Sequence, residues 1–268
     1  MQTASETFRL SAAAAERYES QFVPALFAEW APRLTELAGV APGQAVLDVA
    51  CGTGIVARTV ADAQRGHGRV VGLDLNEAML GVARRVRPEI EWRQGDAAHL
   101  PFPDGSFDVA LCQMAFMFFP ERTRVLREMA RVVTAAGVVA FSVPSRLESQ
   151  PAYAPFVELA ARHAGPEAIR LLGTYFASGD LEELRRLVEE GGLQIAATRT
   201  HLGRVRCPSI DAFVANEVES TPLRERISDE VYARIREGAR ELLRPYTQPG
   251  GAAEIPLEGH VIAARKRV

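Results

Sequence analysis

One ten-residue stretch constrains the fold of this chain more than any other. From Ala45 it reads Ala-Val-Leu-Asp-Val-Ala-Cys-Gly-Thr-Gly and ends at Gly54. The apolar residues around the single carboxylate of Asp48 are typical of a strand that is buried on both faces of a parallel sheet. Two glycines follow where the strand must turn into a helix, and glycine lets the backbone approach a ligand where a Cβ would prevent it. The stretch therefore predicts a strand, a ligand-binding turn and a helix, although a tight turn without a ligand is the alternative.

A second apolar stretch, 69–75, contains a predicted strand that ends at Asp74, twenty residues after Gly54. In nucleotide-binding folds an acid at about this distance binds ribose hydroxyls. We predict that Asp74 holds the ribose of an adenosine ligand, with capping of the next helix as the alternative. Chains that bind NAD usually carry Gly-x-Gly-x-x-Gly. Here Ala50 precedes Gly52 and Gly54, and Ala57 stands where the third glycine would be, so an NAD ligand is disfavoured.

Two segments resemble a known family. Asp48–Gly54 is similar to motif I of the class I S-adenosylmethionine (SAM)-dependent methyltransferases, although Ala50 replaces the glycine that is most common there. Residues 94–109, which read Gln-Gly-Asp-Ala-Ala-His-Leu-Pro-Phe-Pro-Asp-Gly-Ser-Phe-Asp-Val, resemble the next landmark of that family. The nearest likeness is to the UbiE-like small-molecule methyltransferases, and it covers about residues 40–145. The resemblance implies an enzyme that transfers a methyl group from SAM to an oxygen, carbon or nitrogen of a small molecule by in-line displacement.

The resemblance and the positions at strand ends together imply a set of cofactor-binding residues. They are Tyr18, Asp48, Ala50, Gly52, Thr53, Gly54, Asp74, Leu75, Met79, Asp96, Ala97, Gln113 and Phe118. The glycine backbone is expected at the amino-acid end of SAM. Asp48 is expected to receive its ammonium, with a buried acid bonded to loop amides as the alternative.

The adenine and methyl ends of SAM have their own predicted contacts. Leu75 and Met79 are expected beside adenine, Asp96 is expected to accept a hydrogen bond from the adenine amino group, and the Ala97 amide is expected to donate to the ring. For Met79 a plain core role, and for Asp96 an ordinary turn, are the alternatives. Gln113 is expected near the methyl group.

Two aromatic residues complete the predicted site. Phe118 is expected near the methyl group, and Tyr18 is expected to cover the cofactor, as an aromatic of the amino-terminal layer often does in the family. An aromatic face favours a cation by about 0.5–2 kcal/mol. Core packing is the alternative for both residues.

No catalytic residue is assigned. Methyl transfer depends mainly on alignment of donor and acceptor, and a general base is needed only for a hydroxyl or an acidic carbon. Each of the five histidines is more typical of a structural or solvated position.

The alternation of strand and helix predicts an α/β fold, a Rossmann-like doubly wound sheet, and the resemblance implies seven strands with the last one antiparallel. Strands are predicted at 45–50, 69–74, 90–94, 107–113, 138–143, 193–203 and 255–265, with helices at 54–64, 76–86 and 121–134. Ser11 is expected to cap the first helix, Pro24 to end it and Gly137 to cap the helix before residue 138.

Four regions are predicted along the chain. They are an N-terminal helical cap (1–43), a SAM-binding core (44–145), a helical insertion (146–177) and the rest of the core (178–268), which includes a helical lid insertion at about 206–250. In that lid, apolar residues recur at helical spacing from Leu223 to Leu242 and arginines lie opposite them. A solvated helix packed on the core, and a dimer or membrane-surface role, are the alternatives to a substrate lid.

Composition excludes several function classes. A formal net charge of −3 offers no general attraction to nucleic acid, so no nucleic-acid partner is expected. The longest apolar run, 109–119, is shorter than the ~20 residues of a membrane-spanning helix, so stable membrane insertion is not expected. Three scattered cysteines favour a cytoplasmic location without disulfides, and no metal-ligand spacing is present. A homodimer is left open.

Two other functions remain as alternatives. A non-catalytic SAM-binding or regulatory protein would carry the same cofactor motifs. A nicotinamide-dependent oxidoreductase is disfavoured by the missing third glycine.

Overall fold

The computed structural model describes residues 11–219 and 221–267. A seven-stranded sheet has the strand order β3-β2-β1-β4-β5-β7-β6, and β7 runs antiparallel. The predicted α/β, Rossmann-like fold is confirmed. The strands are β1 (Ala45–Val49), β2 (Arg69–Asp74), β3 (Glu91–Gln94), β4 (Phe107–Gln113), β5 (Val133–Pro144), β6 (Leu193–Cys207) and β7 (Ala253–Lys266).

The described residues fall into two compact units. The first comprises the described residues up to Val143, together with Leu181–Thr200 and the chain from His260. Its helices are α1 (Ala12–Arg17), a π-helical segment (Tyr18–Phe27), α2 (Ala28–Ala38), α3 (Ile55–Gln64), α4 (Glu77–Val86), α5 (Arg122–Val132) and α8 (Leu181–Glu190).

The second unit comprises Pro144–Asp180 and His201–Gly259. Its helices are α6 (Tyr153–Ala164), α7 (Glu167–Leu172), α9 (Ile210–Glu219), α10 (Leu223–Arg226) and α11 (Asp229–Leu242). The predicted continuous stripe from Leu223 to Leu242 is therefore divided, because Ile227 is extended between two helices and Ser228 caps the second one. The role of this segment as a lid stays a prediction.

The central strand β1 shows how the sequence positions the site. Side chains alternate between the faces of a strand. Leu47 and Val49 pack into the core on one face, while Val46 packs with α2 and α3 on the other. Asp48 shares the face of Val46, so its carboxylate points toward the layer of α3.

The predicted break at Pro24 is wrong. The helix passes through this residue in a π-helical segment, in which the Ala28 amide donates to the Val23 carbonyl five residues earlier. Proline lacks an amide proton and its ring crowds the carbonyl of the preceding turn, and the wider π-turn accommodates both effects. The predicted cap by Ser11 is confirmed, since its hydroxyl accepts from the Ala14 amide at 3.3 Å. The first ten residues of the predicted cap region lie outside the described residues.

The predicted helix cap at Gly137 is also wrong. Helix α5 ends at Val132, and β5 begins at Val133, so Gly137 lies within the strand. A Cβ at Gly137 would stand 2.8 Å from the Val133 Cβ and 3.0 Å from the Asp108 carbonyl. This glycine therefore serves close packing where the register of β4 against β5 is irregular.

Every helix within 11–219 and 221–267 is too short or too polar to cross a lipid bilayer.

Candidate functional site

The glycine turn after β1 and the acid at the end of β2 meet directly. The Gly52 amide donates to Asp74 Oδ2 at 2.8 Å. This contact follows from the topology, because β1 and β2 are parallel neighbours and their carboxyl ends lie side by side. The two predicted motifs thus form one site at this edge of the sheet.

Asp74 is half-buried and both of its carboxylate oxygens accept from main-chain amides. Its Oδ1 accepts from the Asn76 amide at 2.8 Å, while Asn76 itself caps α4 by accepting from the Ala78 amide. Burial raises the pKa of Asp74, against the opposing effect of these amide bonds. A carboxylate offers about four acceptor positions, so Asp74 retains capacity for a diol. Asp74 does not itself cap α4, as the alternative would require, because the side chain of Asn76 supplies that cap.

Asp48 is fully buried against the start of α3. Its Oδ2 accepts from the Ala57 amide at 2.9 Å. Among the described residues its Oδ1 has no hydrogen-bond partner, and neither does Oγ1 of buried Thr53 in the turn. Burial raises the pKa of Asp48 to about 8. One carboxylate oxygen of Asp48 therefore bonds a main-chain amide, as the structural alternative requires. The other oxygen can accept from a donor such as an ammonium.

The turn itself follows a left-handed path. Ala50, Gly52 and Gly54 have φ values of +55°, +56° and +90°. Only glycine adopts this region without strain, so Ala50 stores strain there.

Tyr18 lies over the turn. A Cβ at Gly52 would be 3.7 Å from the Tyr18 ring and hydroxyl. The ring stacks on Phe27 with centroids 5.1 Å apart, and burial raises the pKa of its hydroxyl. The structure therefore brings Tyr18 to the glycine turn, where a cover residue was predicted.

Two charged residues that the sequence did not single out hold Tyr18 in place. Arg58 on α3 makes hydrogen bonds of 2.7 and 3.2 Å to the carboxylate of Glu19, the neighbour of Tyr18. Arg58 is buried, so this pair anchors the π-helical segment to the helix that follows the glycine turn. No spacing in the sequence indicates it, because the two residues are 39 positions apart.

Trp92 is another residue that the sequence did not single out. Its indole ring occupies the space beside Gly54. A Cβ at Gly54 would lie 2.2 Å from the indole ring, and one at Gly72 would lie 2.3 Å from it. The indole nitrogen donates to the Arg87 carbonyl at 2.9 Å. The missing side chain of Gly54 thus makes room for Trp92, and the glycine inside strand β2 was the available signal.

The predicted adenine contacts lie in contrasting surroundings. Leu75, directly after β2, is 53% exposed and presents an apolar surface beside Asp74. Met79 is buried in a small cluster with Ala15 and Val82, as its core alternative requires. Asp96 is exposed and its Oδ1 accepts from the Ala98 amide at 2.9 Å, which is the arrangement of an ordinary turn.

Ala97 and Gln113 are the remaining predicted residues near strand ends. Ala97 is buried in the core beside β2 and β4. Gln113 Nε2 donates to the Phe27 carbonyl at 3.1 Å, which ties β4 to the π-helical segment. Gln113 Oε1 and Oγ of Ser142, its neighbour on β5, are buried and have no partner among the described residues.

Phe118 borders a cavity of its own. It lines an open cavity of about 610 Å³ at the start of α5, whose lining contains none of the other twelve predicted residues. This cavity is lined by Met117, Phe118, Phe119, Pro120, Glu121, Arg122, Thr123, Arg124, Arg127 and Leu187.

Comparison with known families agrees with this geometry. A family model described as a methyltransferase domain matches residues 47–141, which hold the glycine turn and Asp74. A demethylmenaquinone methyltransferase from Renibacterium salmoninarum is 40% identical over 119 residues, which are 43% of this chain and 49% of that protein. The chain thus spans about half the length of the first curated relatives it matches.

A longer match and a solved structure extend the comparison. A demethylmenaquinone methyltransferase from Lysinibacillus sphaericus is 31% identical over 182 residues, 61% of this chain and 76% of that protein. A crystal structure from Bacillus halodurans C-125, of a protein described as a methyltransferase, has a TM-score of 0.60 and 21% identity, covering 89% of this chain and 99% of that one. At that identity the likeness shows the fold alone.

Proposed function

The chain belongs to the class I SAM-dependent methyltransferases of the UbiE type, and we propose that it transfers a methyl group from SAM to a small-molecule acceptor. The contact between the Gly52 amide and the Asp74 carboxylate carries this proposal. This hydrogen bond holds the glycine turn and the acid side by side, and a bound nucleoside would need both. The family match lies within the first unit, so family membership alone leaves the acceptor open.

The residues present fit SAM. Asp74 retains acceptor positions for two ribose hydroxyls. Buried Oδ1 of Asp48, which has no partner among the residues described, suits a cationic ammonium group, because a nearby positive charge stabilises the carboxylate. Exposed Leu75 offers an apolar face for adenine. We further propose that Tyr18 covers the cofactor, since its ring already lies against Gly52.

The protein's part in the chemistry is placement. When bound, SAM supplies a methyl group that the positive charge on its sulfur has already activated. The chain's residues fix the donor through main-chain and carboxylate contacts, and Tyr18 with its aromatic neighbours excludes water. Orientation of two reactants in this way lowers a barrier by roughly 7–11 kcal/mol.

Binding of SAM is the first test. Calorimetry is expected to show saturable SAM binding to the wild type, and Asp74→Ala is expected to weaken it at least tenfold, since hydrogen bonds to a charged group contribute about 1.5–3 kcal/mol each. Asp229→Ala, which removes the same side chain at a position 90% exposed, is the matched control and is expected to bind normally. Normal SAM binding by Asp74→Ala would refute the ribose assignment.

Turnover is the second test. Incubation with radiolabelled SAM and a panel of small molecules is expected to give a labelled product. The panel includes demethylmenaquinone, because the relatives are named for it. SAM binding without labelled product from any acceptor or metabolite extract would favour the non-catalytic alternative.

A further inference from the structure

The proposed methyl transfer makes no use of the cavity at the start of α5. Its volume of about 610 Å³ falls within the range of roughly 300–1,000 Å³ that is usual for small-molecule sites. Of the residues predicted to bind the cofactor, only Phe118 lines it. Every lining residue belongs to the first unit, since α5 and Leu187 of α8 both lie there. The cavity therefore has a lining of its own within one compact unit.

Part of this lining is apolar and accessible to a ligand. Phe118, Phe119 and Leu187 line the cavity, and each of these side chains is half-buried rather than sealed. Phe119 and Leu187 also pack against the core of the first unit, and the Phe119 ring lies edge-on to buried Phe116 with centroids 6.1 Å apart. Side chains that are fixed by the core and still reach solvent present a firm apolar surface to a bound molecule.

The rest of the lining carries more positive than negative charge. Its charged members are three arginines and one acid, namely Arg122, Arg124, Arg127 and Glu121. Two of the arginines have acidic partners already. Arg122 lies 3.4 Å from the Glu183 carboxylate, and Arg124 lies 3.6 Å from that of Glu121. Arg124 also donates from Nε to the Ala98 carbonyl at 3.0 Å, so its guanidinium is held away from further partners on that side.

Arg127 has no such acid. It is exposed, and its Nε donates to the main-chain carbonyl of Glu190 at 3.3 Å, whereas the Glu190 carboxylate accepts from the Thr123 hydroxyl at 3.3 Å. Within 11–219 and 221–267, no carboxylate lies within 4.0 Å of the Arg127 guanidinium, and its terminal N–H groups have no hydrogen-bond partner. A guanidinium with both terminal nitrogens open binds a carboxylate through two parallel hydrogen bonds.

We propose that this cavity binds a small molecule that carries one carboxylate on an aromatic or apolar body. The Arg127 guanidinium donates to the carboxylate, and the body lies against Phe118, Phe119 and Leu187. One arginine without an acidic partner matches one negative charge. This favours a carboxylate over a phosphate monoester, which carries about −1.5 to −2 charges at neutral pH. The site uses no atom of the cofactor, so it does not depend on methyl transfer.

Two ligands of the same shape test the charge. Naphthylacetate carries a carboxylate, and naphthylacetamide carries a neutral amide in its place. Calorimetry at neutral pH and low salt is expected to show at least tenfold tighter binding of the acid, because hydrogen bonds to charged groups are the stronger ones. Arg127→Met, which keeps the apolar stem, is expected to abolish the difference. Arg185→Met on α8, at a position 61% exposed and outside the lining, is the matched control and is expected to preserve it.

Three results of this experiment would overturn the proposal. They are equal binding of the two ligands to the wild type, no binding of either, and a preference for the acid that survives Arg127→Met. Two further variants examine the geometry. Arg127→Lys keeps the charge but loses the planar fork, so its affinity for naphthylacetate should fall between those of the wild type and Arg127→Met. Leu187→Gln should weaken both ligands by the same factor, and weakening of the acid alone would contradict the apolar surface.

Salt provides a readout that a purely apolar groove would not give. Raising NaCl from about 0.02 M to about 0.2 M should weaken naphthylacetate binding several-fold and leave naphthylacetamide unchanged, because screening acts on the charge alone. Thermal unfolding, which requires no cofactor, checks that each variant is folded. SAM binding by Arg127→Met should equal that of the wild type. Absence of SAM binding from the wild type itself would count against the proposed function and leave this site unaffected.

Discussion

The Gly52 amide and the Asp74 carboxylate are 2.8 Å apart, although 22 positions separate the two residues in the chain. This bond closes the glycine turn onto the neighbouring strand through protein atoms alone. Asp74 consequently has a structural role besides its proposed contact with the ribose, and its substitution should affect folding in the absence of SAM.

Asp74→Ala is expected to lower the free energy of unfolding by roughly 1–3 kcal/mol, because it leaves the Gly52 and Asn76 amides without their acceptor. Urea denaturation without ligand measures the change. Asp74→Asn retains one acceptor oxygen and should lose less of the free energy of unfolding. Equal loss in the two variants would mean that the amide bonds do not stabilise the turn.

Ala50→Gly is expected to stabilise the protein by about 0.5–1 kcal/mol. Ala50 has φ +55°, where an L-residue is strained by roughly 1–2 kcal/mol, and the greater flexibility of glycine in the unfolded chain offsets part of the gain. Thermal unfolding is the measurement. Ala45→Gly, in a regular strand, should destabilise the protein. A loss of stability from both substitutions would contradict the strain at Ala50.

Short-range signals explain what could be predicted from the sequence. The observed bounds of β2 and β4, Arg69–Asp74 and Phe107–Gln113, are those predicted, because each apolar run is bounded by polar residues. The predicted parallel sheet also brings the carboxyl ends of β1 and β2 together, although the bond between Gly52 and Asp74 was not itself predicted.

Long-range packing explains what could not be predicted. The indole of Trp92 fills the space that a side chain at residue 54 or 72 would need, and the ion pair of Glu19 with Arg58 anchors the segment that carries Tyr18. Neither contact leaves a periodic trace in the sequence. At Pro24 local propensity indicated a break, and the π-helical turn overrode it.

Asp48→Asn is expected to flatten the pH dependence of stability. The folded-state pKa of about 8 lies above the ordinary 3.8, so the folded protein binds more protons than the unfolded chain between these values. The neutral carboxyl therefore stabilises fully below about pH 4, and this stability is lost as the pH rises through 8. Relative to Asp48→Asn, the wild type should lose about 2–5 kcal/mol of its free energy of unfolding between pH 4.5 and pH 8.5. Urea denaturation at the two pH values measures this loss. Parallel curves for the two proteins would show that Asp48 is ionised when folded.

Gly72→Ala is expected to destabilise the protein by about 1–3 kcal/mol, because Trp92 stands opposite it on β3 and its ring would lie 2.3 Å from the new Cβ. Gly72 has no left-handed φ, so this substitution isolates packing from backbone strain. Trp92→Leu shortens the opposing side chain, and the double variant should be at least 1 kcal/mol more stable than the sum of the single losses predicts. Gly81→Ala, inside α4 with open space around it, is the matched control and should stabilise by about 0.5–1 kcal/mol. If the stability losses from the substitutions at 72 and 92 add strictly, the indole is not the reason that residue 72 must be glycine.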